Sequence, residues 1–393
     1  MTKNILLLYG FSFFKNLMFF GAVAVPFYLH RIGIGYASMF LLEGIFSLSM
    51  IVFEIPTGVI ADRFGRKWSL FFGSCFLGAA FLIFGFYTSF IVLAIAEILC
   101  AFGMTMQSGA DRAILYETLI ASGSDSRTAA VMARYDAFAT TGMFLAFPAG
   151  SVFVGSNAVS YNSALGLVFI ATAMAVFFAG FLVVFVKETA YEKSKKNVMR
   201  QGLDGFLRIL HLPKLRKFSL NYALLSSLTF FMFWFYQPLL MENGFSVAWL
   251  GVVASAFNFT AMVLLWLTPV IERGLGIKNT LFFSSIIPGF FYLSLFFISG
   301  PVMALAAIFF VTNLKLFRAP LLSTLMNREI DSSERATVLS GVSMIERMAT
   351  TLLYPLNGIL TDISLKMTFL IIGIITVGLS LLLRVEETHL TEK

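Results

Sequence analysis

The chain has 393 residues, of which 59% are hydrophobic and 12% charged, and its formal charge is +7. A soluble domain carries about twice that charged share, so a water-soluble globular protein is excluded and the chain belongs in lipid. The two cysteines, Cys75 and Cys100, both fall inside apolar runs, which excludes a disulfide framework.

A helix that crosses a bilayer needs about 20 apolar residues, and twelve such runs follow one another. The first covers 5–29 and holds Lys15 and Asn16; it is too long for the apolar region of a signal peptide and lacks a small-residue cleavage site. The second covers 36–60, with Glu43 toward the outer end and Glu54 near the inner one. It runs into "GVIADRFGRKWSL" (58–70), a burst of charge between apolar stretches, and the third covers 68–88. The fourth, 90–114, carries Glu97 and Gln107 and ends at Asp111 and Arg112. Asp136 and "GMFLAFPAG" (142–150) lie in the fifth, 130–154, and the sixth covers 164–186.

A basic stretch at 187–217 follows, in which nine Lys or Arg face three acids, so nearly all the excess positive charge sits there. The seventh run, 218–240, contains "FMFWFYQP" (231–238), and the eighth and ninth cover 247–271 and 280–299. The tenth, 301–323, holds Asn313, Lys315 and Arg318; the eleventh, 337–361, holds Glu346 and Arg347; the twelfth covers 366–385. Unbroken apolar runs with no barrel-like alternation are read as helices, because a segment in lipid must satisfy its own backbone groups.

Loops after the even-numbered spans carry Arg63, Arg66, Lys67, Arg127, Arg273, Lys278, Arg328 and Arg335 besides the basic stretch, whereas the opposite loops offer little beyond Arg31 and Lys366. The positive-inside rule then puts both termini in the cytoplasm. It also accounts for the +7 charge by contact with anionic lipid rather than with nucleic acid. Three echoes at nearly one offset indicate a duplication: "RAILYETL" (112–119) with "RAPLLSTL" (318–325), Arg127 with Arg335, and "IADRFGRK" (60–67) with "IERGLGIK" (271–278). The chain therefore divides into a bundle at 1–186, a cytoplasmic linker at 187–217, and a second bundle with a cytoplasmic tail at 218–393.

Gly58, Ile60, Ala61, Asp62, Arg63, Gly65, Arg66, Lys67 and Leu70 together resemble the signature loop between the second and third spans of the major facilitator superfamily. The resemblance implies an all-α integral membrane fold of twelve transmembrane helices in two pseudo-symmetric six-helix bundles. Gly58 is expected to admit close helix approach and Gly65 to turn the chain. The resemblance further implies a cytoplasmic latch, with Asp62, Arg66 and Asp111 joined when the cavity opens outward and separated when it opens inward. "SGADRAILYETL" and "MNREIDSSERATVLSG" are similar to segments of bacterial drug and metabolite exporters in this superfamily. The fifth span matches the exporters' motif only in part, keeping Gly142, Pro148 and Gly150 but placing Phe147 where a glycine is expected.

The resemblance also implies that the first, fourth, seventh and tenth spans line a substrate cavity. That selects Lys15 and Asn16, Glu97 and Gln107, Trp234, Tyr236 and Gln237, and Asn313, Lys315 and Arg318. Two lysines favour an anionic or zwitterionic solute, and the aromatic run offers faces for its apolar part. Two plainer alternatives stand beside this: Lys15 pairs with Asp136, and the aromatic run is lipid-facing or packing surface. No G-x-x-x-x-G-K-[ST] occurs, so the expected energy source is an ion gradient, protons first. The three histidines lie near loops or tails, which leaves carboxylates as proton carriers: Glu346, Asp136, Glu54 and Glu97, tuned by Arg347 and Lys15.

The expected function is thus secondary active transport of a small amphipathic organic solute across the cytoplasmic (inner) membrane by alternating access, coupled to protons and directed outward. Proton-coupled import of an organic anion or nutrient is the alternative, and a transport-inactive sensor or scaffold of the same fold is another. No H-E-x-x-H, G-x-S-x-G or metal cluster is present in the sequence, so no enzyme, metal or cofactor is expected. The expected partners are the solute, protons and lipid, with the chain a monomer.

Overall fold

A computed structural model describes residues 2–121, 123, 127–188, 198–330 and 335–386. The described residues are almost entirely helical. Fifteen helices are labelled in chain order: α1 (Thr2–Lys15), α2 (Tyr36–Phe64), α3 (Arg66–Phe86), α4 (Phe90–Gln107), α5 (Ala110–Ile120), α6 (Thr128–Gly155), α7 (Tyr161–Val184) and α8 (Val198–His211). The series continues with α9 (Pro213–Phe230), α10 (Met232–Glu242), α11 (Val247–Trp266), α12 (Thr268–Phe297), α13 (Pro301–Arg328), α14 (Arg335–Ile363) and α15 (Leu365–Leu382).

Ten helical stretches among the described residues are long and apolar enough to cross a membrane. The first span and α14 complete the twelve. The first is broken: α1 stops at Lys15, and helix resumes only at Ala24–Pro26, continuing into a wider turn over Phe27–Ile32. In the break the Phe19 N–H donates to the Thr172 hydroxyl at 3.0 Å, so a backbone group freed at this depth still finds a partner. Helix α14 is made more polar by Glu346 and Arg347 at its middle.

The chain forms two compact units: residues 1–34, 42–197 and 246–255, and residues 35–41, 198–245 and 256–393. Lipid tails are as apolar as leucine, so helix association in such units relies on close van der Waals packing, which small residues permit. In the first unit, α3 and α4 meet at Gly73 and Gly103, where an added Cβ would lie 2.8 Å and 2.7 Å from the other glycine's carbonyl oxygen. Gly142 and Gly150 of α6 face the first span, and a Cβ on Gly150 would fall 1.9 Å from the Phe19 oxygen. Phe147, the departure from the expected motif, has its ring over Gly21, where a Cβ would come within 2.3 Å of it. The small residue needed at this crossing stands on the first span, as Gly21.

Gly65 and Gly276 occupy matching places in the repeat and share one backbone shape, φ 97°, ψ 151° and φ 72°, ψ 153°. That region is essentially confined to glycine, so the duplicated motif is a duplicated turn; α12 is accordingly two helices meeting at Gly276. Gly58 does not act as expected: open space surrounds its Cβ position, so no close helix approach depends on it in this arrangement.

The second unit has its core around Phe218, Leu281, Phe317, Leu322, Val338 and Val342. The basic stretch expected to be a linker contributes to it. Helix α8 buries Ile209 in that core, and Gly205 lies against the α14 backbone at Thr337 and Gly341, where a Cβ would be 2.0 Å from the Thr337 oxygen.

Candidate functional site: ionisable groups inside the helices

In the first unit Lys15, Arg66 and Arg112 are each paired with a carboxylate. The fourth span breaks at Ser108 and Gly109, the latter at φ 75°, and restarts as α5, which puts Asp111 in the first turn of a new helix. A carboxylate there is favoured by the helix dipole. Asp111 accepts from Lys15 Nζ at 3.2 Å and from the Tyr135 hydroxyl at 2.8 Å. Lys15 therefore pairs with Asp111, and not with Asp136, which accepts from Arg112 at 2.8 Å with both side chains more than half exposed.

The turn between α2 and α3 is organised by acids that its own motif does not contain. Arg66 forms an ion pair with Glu117 of α5. Glu188 accepts from the backbone N–H groups of Arg66 at 2.6 Å and Lys67 at 3.4 Å, capping α3 across Gly65. Asp111, expected to meet Arg66, is held by Lys15 and Tyr135 instead. Arg63 and Lys67 rest over the rings of Phe64 and Trp68. The side chain of Asp62 lies outside the described residues.

Tyr28, Glu43 and Glu97 form a buried trio drawn from three spans. The Tyr28 hydroxyl lies 2.9 Å from Glu97 Oε1 and 3.4 Å from Glu43 Oε1, and both carboxyls are at least nine-tenths buried. The electrostatic neighbours of the two carboxyls are each other, Tyr28 and the Cys100 thiol, with no cation among the described residues. Glu97 was expected in a substrate cavity; its place is in this trio. Gln107 donates to the Ser74 hydroxyl of α3 at 3.1 Å, and Asn16 donates to the Ser12 carbonyl at 2.8 Å. Glu54 is half-buried in α2.

The second unit is different. Arg318 is 1% exposed; its terminal nitrogens reach the Ser285 and Ser226 hydroxyls only at 3.3 and 3.4 Å, and its Nε has no acceptor. Lys315, one turn earlier on α13, sits over the Phe230 ring at 4.8 Å. Glu346 on α14 is within electrostatic reach of Lys315, Arg318 and Arg347, but it is not within ion-pair distance of Lys315 or Arg318. Trp234, Tyr236 and Gln237 are buried inside the unit, Trp234 against Phe40, so this part of the aromatic run does not face lipid. Asn313 donates to the Thr260 hydroxyl at 2.9 Å.

Comparison with other proteins agrees with this architecture. A family model described as Major Facilitator Superfamily matches residues 5–327. An uncharacterized MFS-type transporter, YxaM of Bacillus subtilis (strain 168), is 26% identical over 249 residues, which are 59% of this chain and 57% of that protein. The match thus spans little more than half of that relative's length. Among solved structures, the nucleoside transporter NupG superposes with a TM-score of 0.82 at 15% identity, covering 100% of both chains. A bacterial homolog of the human lysosomal transporter Spinster, inward-facing and unoccupied, gives 0.78 at 14% identity, covering 99% of this chain and 98% of the other. A POT family transporter in complex with 5-aminolevulinic acid gives 0.76 at 11% identity, covering 99% and 96%. At these identities the structural likeness speaks to the fold.

Proposed function

Because the chain belongs to the major facilitator superfamily and is a multi-pass membrane transporter, we propose that it exports a small amphipathic organic solute across the cytoplasmic membrane in exchange for protons, with both termini in the cytoplasm. The observation that carries proton coupling is the Tyr28–Glu43–Glu97 trio. A tyrosine hydroxyl has one hydrogen to give, and the shorter contact directs it to Glu97. Among the described residues Glu43 then has no donor of its own and faces a second carboxyl, with no cation to offset either. Two carboxyls so placed resist ionising together, and the arrangement suits a proton shared along Glu43, Tyr28 and Glu97. The Lys15–Asp111 and Arg112–Asp136 pairs already balance their own charges, and Glu346 faces cations, so neither Asp136 nor Glu346 is as well placed to take up a proton.

Alternating access would carry that proton between the two sides as the bundles rock. Infrared spectroscopy of the purified chain at neutral pH tests the proton directly, without any solute. A protonated-carboxyl stretch that disappears in both Glu43→Gln and Glu97→Gln is the expected result; a spectrum with only ionised carboxylates rules the reading out. Direction is tested in inside-out vesicles with an acidified lumen, where an exporter accumulates p-aminohippurate and discharges the pH gradient as it does so.

A further inference from the structure

We propose that Arg318 and Lys315 form the recognition site for the carboxylate of the transported solute, so that the substrate class is a small organic monoanion with an apolar body. This rests on the reading that the chain moves an organic solute, and it names that solute's chemistry.

A guanidinium buried to 1% exposure needs compensation, because a lone buried charge is costly and removing one partner of a buried pair leaves the other uncompensated. Here the compensation is incomplete. Two serine hydroxyls at 3.3 and 3.4 Å are long for hydrogen bonds to a charged donor, which usually fall at about 2.7–2.9 Å. The Nε–H donor is buried and unmatched. A carboxylate approaching the Nε edge would take that hydrogen and one from a terminal nitrogen, the paired donor geometry that guanidinium offers and ammonium does not.

The charge balance points the same way. Among the described residues, Tyr222, Lys315, Arg318, Glu346 and Arg347 are titratable groups that interact around this point. Subtracting the single carboxylate of Glu346 from Lys315 and Arg318 leaves one positive charge. An anion entering beside Arg318 neutralises the excess, and Phe230, already beneath the Lys315 ammonium, supplies an aromatic surface next to it. Lys15 and Arg66 of the first unit each meet a protein carboxylate; at Arg318 and Lys315 that place is left for the solute.

The test uses the full chain in detergent, with p-aminohippurate and phenylacetate as acids and their neutral amides as matched controls. The acids should raise thermal stability in a saturable way and the amides should not, since a ligand stabilises only the state that binds it. Arg318→Lys should weaken the apparent affinity for acid by about tenfold or more, and Lys315→Met should weaken it several-fold. Lys366→Met, which removes an outer-end cation, should leave it unchanged. If Arg318→Lys does not yield monodisperse protein, Lys315→Met decides alone.

No stabilisation by either acid, equal stabilisation by acid and amide, or native affinity in Lys315→Met overturns the assignment. Binding is measured without a proton gradient and with Glu43 and Glu97 intact, so its failure leaves proton coupling standing. Loss of the infrared band, conversely, leaves anion recognition standing.

Discussion

The two units handle the charges inside their spans differently. The first couples its cations to its own acids, Lys15 to Asp111, Arg66 to Glu117 and Arg112 to Asp136, and collects two further carboxyls around Tyr28. The second keeps Arg318 and Lys315 outside ion-pair distance of Glu346. The contrast extends to the repeated turn. Gly65 is covered by Glu188, which caps the helix that follows, while open space surrounds the Cβ position of Gly276. The same turn thus carries a carboxylate cap at Gly65 and none at Gly276 among the described residues.

The contrast can be broken most severely at Lys15. Lys15→Met leaves Asp111 without its cation, and unfolding titrations in mixed micelles should show a loss of about 3 kcal/mol. The double variant with Asp111→Asn should recover most of it; a single variant as stable as the native chain would mean that the pair is not structural. Gly65→Ala comes next. Its backbone region costs a residue with a side chain about 1–3 kcal/mol, and the new Cβ would also press on the Glu188 carboxylate. Gly276→Ala should cost less, because only the backbone penalty applies, and equal losses would remove the asymmetry between the turns. Glu188→Ala should cost about 1 kcal/mol as a lost helix cap, read by the same titration. The smallest effect is expected at Asp136→Asn, less than about 1 kcal/mol, because its pair with Arg112 is exposed; a shift in melting temperature larger than that of Glu188→Ala would contradict this.

Much of the architecture is legible in the sequence because lipid imposes a simple rule on composition. The twelve spans and the repeated turn at Gly65 and Gly276 follow from apolar length and from a glycine at matching places. The break after Lys15 is not legible: residues 16–23 are as apolar as their surroundings, and the Phe19 N–H freed there is met by the Thr172 hydroxyl of another helix. Helix α8 is hidden for a different reason, since the surrounding charge masks the apolar residues, such as Ile209, that it buries. Individual ionisable residues could be flagged because charge in a span is rare, but their partners could not. Glu43 and Glu97 meet through Tyr28 from three different spans, and Arg66 is served by Glu117 and its helix by Glu188, neither part of the motif itself. Sequence spacing carries no trace of pairings made only by tertiary packing.

The seating of Gly205 on Thr337 and Gly341 also shows where the gene could be divided. Helix α8 belongs with the second bundle by its packing, although its position in the chain suggests a free connector. Co-expressed halves cut just ahead of Val198 should reassemble in the membrane. Halves cut at Pro213 would separate the clamp from the helix it holds, and should be recovered poorly.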